Sequence, residues 1–318
     1  MKENSELAYE VPEAKSRILI PVSFSEMIKY LWQLTLPEFW IVAIFPVYIG
    51  YILASRNLVP TVESFLALII MGPLIMGSTL MLNEYFDRDI DRKNPRKADS
   101  PLIKGLIEPE NALEAAIALM LIGSLTSFAI SIPFTVVVVS CILLSLFYSA
   151  PPLRFKSLPG ADMIVNAVGL GVLCPLAGYL TVSNPQESFP LLYLIISTTG
   201  LGAAYISTTM VDYDVDRECG INSISVKIGK RNAYLLGLAF IAIANFGVIF
   251  MGLYNMPPFA PRIVEKIWPL CVLTVVFYAW LVRRVTRRTF WVNFAMIAIA
   301  VGVENVMWVL WYTGYWLT

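Results

Sequence analysis

Nine stretches of this chain stay apolar for about the thickness of a lipid bilayer. They cover roughly 37–54, 64–82, 112–130, 133–149, 163–182, 190–211, 233–254, 267–282 and 294–314. A helix rises ~1.5 Å per residue, so about 20 apolar residues cross the ~30 Å hydrocarbon layer. No water is available there, and a segment that satisfies its own backbone N–H and C=O groups is a helix. The composition agrees: 14% of residues are charged, where a soluble domain has about 25%. The expected fold is all-α, a polytopic membrane helical bundle of nine transmembrane helices around a central cavity.

The basic residues set an orientation. Of the 23 Lys and Arg, 20 fall on one face, in the N-terminal segment and in the loops after spans 2, 4, 6 and 8. The other face holds Arg56, Arg262 and Lys266. Positive loops stay inside, so the N-terminus and these loops are expected to be cytoplasmic and the C-terminus to lie opposite. Arg283, Arg284, Arg287 and Arg288 after span 8 are assigned to orientation alone. Residues 1–24 read as a polar cytoplasmic tail without a signal-peptide core, so insertion is expected through the chain's own helices. Residues 25–318 read as the transmembrane domain, opening with an amphipathic interfacial helix over 25–36.

Several chemistries are excluded. The chain has no histidine, which removes Ser-His-Asp and Cys-His triads and any His-ligated metal. The cysteines at 141, 174, 219 and 271 lack zinc-ligand spacing and read as small buried groups. Zero net charge and no basic tract with interleaved aromatics argue against a nucleic-acid partner. The expected surroundings are the lipid bilayer.

What remains is acidic. Asn83, Asp87 and Asp91 are spaced N-x-x-x-D-x-x-x-D, and Asp212 and Asp216 are spaced D-x-x-x-D. On a helix, residues four apart share a face. Both motifs end spans that emerge on the same side, and four helices separate them, an internal echo of span, acidic motif and basic loop. Facing carboxylates repel unless cations lie between them, and hard oxygen ligands suit Mg²⁺ carrying a diphosphate. Basic groups follow closely: Arg88, Arg92, Lys93, Arg96, Lys97 and Lys104 after the first motif, Arg217 after the second, and Arg154 and Lys156 in a third loop. Lys and Arg neutralise phosphate oxygens as a diphosphate departs. Asp89 and Asp214 lie off the four-residue rows and read as partners of nearby arginines. Pro46, Pro73 and Pro175 read as helix kinks around the cavity. Glu304 lies within span 9. It reads either as a cavity group contacting an acceptor or as a structural carboxyl bonded to Asn166 or Asn245.

These motifs, in this order, resemble those of the UbiA superfamily of intramembrane prenyltransferases. The resemblance extends to Asn94–Leu102 with Gly105, to Tyr148-Ser149-Ala150-Pro151-Pro152-Leu153-Arg154-Phe155-Lys156, and to Asp216-Arg217-x-x-Gly220 with Ser223–Gly229. Glu84 stands where many relatives have Asp, and Ser223 and Ser225 replace a commoner Thr and Pro. The resemblance implies Mg²⁺-dependent transfer of a polyprenyl group from a polyprenyl diphosphate to a lipophilic or aromatic acceptor, a quinone precursor or macrocycle. A glycerol-phosphate lipid precursor or a carotenoid is the alternative acceptor, and an ion-coupled transporter the alternative outside enzymes. It implies two Mg²⁺ held by Asn83, Asp87, Asp91, Asp212 and Asp216, all but Asn83 counted as catalytic. Arg88, Arg92, Lys97, Arg154, Lys156 and Arg217 would bind diphosphate, and Tyr148 would hold it or cover the allylic carbon. Tyr85, Phe86 and Phe147 are further aromatics for an allylic cation.

Overall fold

The predicted spans form helices, several of which continue past their apolar stretch. The computed structural model describes residues 23–94, 97–186, 188–283 and 289–315. Most of the expected N-terminal tail, together with Arg96, Arg284, Arg287 and Arg288, lies outside the described residues. The helices are α1 (Phe24–Leu34), α2 (Ile41–Ser55), α3 (Val62–Asp91), α4 (Pro109–Ser127), α5 (Ile132–Ser149) and α6 (Ala161–Tyr179). They continue as α7 (Tyr193–Glu218), α8 (Ile224–Ile228), α9 (Lys230–Leu253), α10 (Pro261–Val282) and α11 (Phe290–Tyr312).

Not every expected span qualifies as a crossing by itself. Among the described residues, seven helices are long and apolar enough to cross a membrane: α3, α5, α6, α7, α9, α10 and the Ala295–Tyr312 part of α11. The stretches Phe24–Phe39 and Ile41–Ser55 meet that requirement together, as a pair bent by 55°. The expected third span exists as α4, but Glu110 and Glu114 near its start make it less apolar than the seven. Among the described residues, seven helices, or eight with the bent pair, thus qualify by length and composition, and the expected count of nine is not confirmed.

Local chemistry explains the bends. Leu36 takes a left-handed conformation just before Pro37, and proline disfavours helix in the residue preceding it. That breaks α1 from α2. α1 starts at a capping box in which Ser23 and Glu26 bond each other's backbone N–H. Phe24, Ile28 and Trp32 form an exposed apolar stripe along it, while Met27, Tyr30 and Leu31 pack inward, as an interfacial helix requires. α3 widens into a π-helical stretch at Ile70–Met76 around Pro73, and α6 does so at Gly169–Leu173 just before Pro175. Proline removes a backbone donor and crowds the preceding turn, and a wider turn absorbs both defects. The two stretches contribute Met71, Ile75, Gly169 and Leu170 to one cavity wall, and Pro46 lines a second cavity. The proline kinks thus do shape the interior.

Helices α2 and α6 meet through glycine. A Cβ on Gly50 would overlap the Pro175 carbonyl oxygen, and one on Gly178 would overlap the Val47 carbonyl oxygen. Between membrane helices, where apolar burial gives no drive to associate, such close backbone approach supplies the packing. Gly178→Val is expected to lower the thermal midpoint in detergent by roughly 3–10 °C, the effect of forcing apart a packed contact. Gly302→Ala, where a Cβ meets nothing within 4 Å, is expected to stay within about 2 °C of wild type.

Candidate active site

The acidic motifs lie on helix rather than in loops, because α3 and α7 run beyond their apolar stretches to Asp91 and Glu218. Asn83, Asp87 and Asp91 therefore share the face their spacing demands. The loop after α5 crosses that face. Arg154, held in a left-handed conformation, donates from Nη2 to Asp87 Oδ1 at 2.9 Å. Lys156 bonds the same oxygen and also donates to Asn83 Oδ1 at 3.2 Å. Ser149 Oγ adds a bond to Asn83 at 3.3 Å. Burial pushes the Lys156 ammonium below its usual range, and Asp87 opposes this without cancelling it.

A second bridge closes the loop after α3. Lys97 pairs with Glu84, and Ser100 Oγ donates to the same carboxylate at 2.9 Å. Burial works to lower Lys97, but Glu84, Asp91 and Asp87 together hold it above its usual value. The longer arm of Glu84, which departs from the commoner Asp, makes this tie. Asp91 is 8% exposed, and among the described residues its Oδ2 accepts no hydrogen bond.

The second motif is held by its own return loop. Gly220, at φ 73°, caps α7 in a Schellman arrangement: Ile221 N–H bonds Asp216 O at 2.8 Å and Gly220 N–H bonds Arg217 O at 3.3 Å. The reversal brings Ser223 Oγ to Asp216 Oδ2 at 2.9 Å and sets Ser225 against Thr209 at 2.6 Å. The two serines that depart from the motif therefore organise the loop. Asp212 and Asp216 are half-buried beside it.

Not every expected residue joins the site. Arg88 and Arg92 pair with Asp89, each at 3.4 Å, on the side away from the Arg154 and Lys156 bonds to Asp87 that hold the third loop. Arg217 is exposed. Asp214 pairs with Lys230 at 3.0 Å, a lysine where an arginine was expected. Lys104 pairs with Asp99 at 2.7 Å. Of the four aromatics, Tyr148 lines a cavity, Phe86 packs against the core with Tyr85 edge-to-face on it, and Phe147 is exposed, one residue's turn away from Tyr148. Among the described residues no group of three or more Asp, Glu or Cys side chains stands close enough to hold a metal unaided.

One group was missed by reading the sequence. Asp162, at the start of α6, is fully buried. Its carboxylate accepts from Gly160 N–H at 2.8 Å, Ile224 N–H at 2.9 Å and Tyr205 O–H at 3.1 Å. Tyr148 lies 3.3 Å from Tyr205, and because Tyr205 gives its proton to Asp162, Tyr148 is the donor of that bond. This one carboxylate thus joins the third loop, the α7 helix and the return loop of the second motif. Its only sequence signal was an acidic residue opening an apolar run, which also describes an ordinary helix start.

Below the first motif is a cavity of about 240 Å³, lined among others by Met71, Ile75, Asn83, Tyr148, Asn166 and Gly169. A second cavity, of about 260 Å³, shares no lining residue with it and contains Glu304. The expected asparagine bond of Glu304 is not made. Cys271 Sγ–H donates to it at 3.2 Å and Thr274 O–H at 3.4 Å, while Asn166 instead bonds Asp162 O.

An all-helical membrane bundle with an acidic motif and buried cations beside an apolar cavity defines a class of polytopic membrane proteins with a polar site at one end of the bundle. Residues 43–298 match the UbiA prenyltransferase family, and the chain belongs to it. It is 28% identical over 230 residues to a lycopene elongase/hydratase of Haloarcula japonica, covering 71% of this chain and 75% of that protein. It is also 28% identical over 234 residues to protoheme IX farnesyltransferase 2 of Vibrio parahaemolyticus, covering 72% and 78%. Its fold is that of a UbiA homologue from Archaeoglobus fulgidus solved with GPP and Mg²⁺. The TM-score is 0.70 at 22% identity, over 87% of this chain and 99% of that one.

Removing the Asp162 carboxylate leaves buried donors unmatched, each costing about 1–3 kcal/mol. Asp162→Ala is therefore expected to lower the thermal midpoint and to slow prenyl transfer by at least about tenfold through loss of positioning. Asp89→Asn, on the exposed cluster, is expected to change transfer less than about twofold. Parallel melting curves and transfer rates check both.

Proposed function

We propose that this chain transfers a polyprenyl group from a polyprenyl diphosphate to an uncharged lipophilic acceptor within the membrane. The observation that carries this is the cluster of Asn83, Asp87, Arg154 and Lys156 beside a cavity that Asn83 and Tyr148 also line. It offers metal-binding oxygens and phosphate-binding cations at one end and hydrocarbon walls beyond. The prenyltransferase unit is read as 25–318, with 1–24 a tail, and the positive loops favour a site on the cytoplasmic side.

The residues fit Mg²⁺. The donor set is carboxylate and amide oxygen, the preference of a hard cation, and the undonated Oδ2 of Asp91 supplies an acceptor oxygen already stripped of water. Asn83, Asp87 and Asp91 would hold the metal from one side, and Asp212 and Asp216 from the other. No carboxylate cage is complete by itself, which suits ions that share diphosphate oxygens. Bound Mg²⁺ supplies positive charge that makes the diphosphate a better leaving group.

The remaining steps follow from the chain's own groups. Arg154 and Lys156 neutralise the departing oxygens as the C–O bond breaks and its electron pair leaves with the diphosphate. The prenyl chain occupies the apolar cavity, where water is excluded from the allylic cation. The face of Tyr148, its hydroxyl turned to Tyr205, stabilises that cation. An electron-rich acceptor carbon then forms the new bond and loses a proton. Neither cavity lining contains Lys or Arg, which disfavours a phosphate-bearing acceptor. An aromatic ring or macrocycle meets the requirement. A polyene is the second reading, favoured by the likeness to lycopene elongase/hydratase.

Purified protein with Mg²⁺, geranylgeranyl diphosphate and a panel of acceptors is expected to release diphosphate only with a suitable acceptor. Asp87→Asn combined with Asp212→Asn is expected to lower that rate by roughly 100-fold or more. Chelating Mg²⁺ is expected to stop release, and adding it back to restore release. A folded wild-type protein that releases nothing with any acceptor would overturn the proposal.

A further inference from the structure

The second cavity has a polar centre that the transfer chemistry does not use. Its lining comes from α2, α7, α9, α10 and α11, and includes Asn245 and Glu304. Asn293 and Trp308 also line it. Fifteen residues apart on α11, they make the cavity roughly 22 Å long at helical rise. Ser207 and Tyr278 lie on its wall but satisfy each other, with Ser207 donating to Tyr278 at 3.1 Å and Tyr278 to Ala203 O at 2.9 Å.

Asn245 and Glu304 differ from that pair. Asn245 is 4% exposed, and its Nδ2 donates to Ile241 O at 2.9 Å. Its Oδ1 is buried with no donor among the described residues. Glu304 is 8% exposed and receives two bonds, from Cys271 and Thr274. A carboxylate has about four acceptor positions. An unmatched buried acceptor costs about 1–3 kcal/mol, and more for a charged group. The lining holds no Lys or Arg to supply a donor, and most of the rest of the wall is aliphatic or aromatic.

We propose that this cavity is a binding site for a long apolar molecule carrying a hydroxyl, which donates to Glu304 or to Asn245 Oδ1. A hydroxyl brings the missing donor without introducing a charge into hydrocarbon, and an isoprenoid-length chain matches the length of the cavity. The site stands apart from the transfer reading, since none of its lining residues belongs to either acidic motif. Its nearest approach is along α7, where Ser207 precedes Asp212 by about 7–8 Å of helical rise.

The test uses the full chain in nanodiscs, with neither donor nor Mg²⁺ present. A photoreactive geranylgeraniol labels the protein, and labelled peptides are mapped by mass spectrometry. Unlabelled geranylgeraniol competes against the same isoprenoid hydrocarbon without its hydroxyl. The expected result is labelling on α7, α9 or α11, with the alcohol competing about tenfold or more better than the hydrocarbon. Glu304→Met and Asn245→Leu, each checked for a wild-type melting curve, are expected to weaken that preference to a few-fold or less. If one of them fails to fold, the other variant and the wild-type competition still decide. Asp87→Asn, inactive in transfer on the proposed mechanism, is expected to label as wild type does. Equal competition by alcohol and hydrocarbon, labelling confined to the cavity beside Asn83, or loss of labelling in Asp87→Asn would each overturn the proposal.

Discussion

Charge is expensive in hydrocarbon, and this chain is arranged around that cost. A carboxylate or ammonium at the middle of a bilayer costs several kcal/mol even when the bilayer deforms around it. The acidic motifs therefore stand at the ends of α3 and α7, each beyond an apolar run. Two of the carboxylates buried there have named counterparts: Glu84 has Lys97, and Asp87 has Arg154 and Lys156. Losing one partner of a buried pair costs about 3–5 kcal/mol, so these pairs fix the loops as firmly as any apolar contact. Glu304 is the exception, lying within an apolar helix beside a thiol and a hydroxyl rather than a cation.

The same economy connects the two halves. No described backbone segment joins α3 to α7 directly at the motifs. The connection runs through side chains: Ser149 and Lys156 to Asn83 on one side, and Tyr148 through Tyr205 to Asp162 and Ile224 on the other. A network of this kind is rigid only while every member is satisfied. That makes Asp162 a determinant of how the third loop, α7 and the return loop of the second motif are held together.

Periodicity made much of this legible. Long apolar runs gave helices within a few residues, and four-residue spacing put Asn83, Asp87 and Asp91 on one face. The third loop was identified by its resemblance, and Arg154 and Lys156 do reach the first motif. Less legible was what depends on neighbours. Arg88 and Arg92 lie beside the motif in sequence, and in the structure both pair with Asp89. Two expected spans do not qualify alone: α4, which carries Glu110 and Glu114, and α2, which is 15 residues long and follows the break at Pro37. Asp162 was invisible because its three donors come from residues 160, 205 and 224, and no local pattern predicts such convergence.

Charge balance then indicates why both motifs are needed on the proposed reading. Around α3, Lys97 pairs with Glu84, and Arg154 and Lys156 both pair with Asp87. Two of the three carboxylates are thus already tied to cations of the chain, which leaves the cluster little negative charge to spare for metal ions. A diphosphate ester brings about three negative charges, and two Mg²⁺ bring four positive ones. The sum leaves a positive excess of about one charge, and Asp212 and Asp216 supply carboxylates from α7 to share in holding it. The second motif is thus more than a duplicate of the first: it gives the metal–diphosphate complex carboxylate oxygens from a second helix, where the α3 cluster has most of its own already tied to cations of the chain.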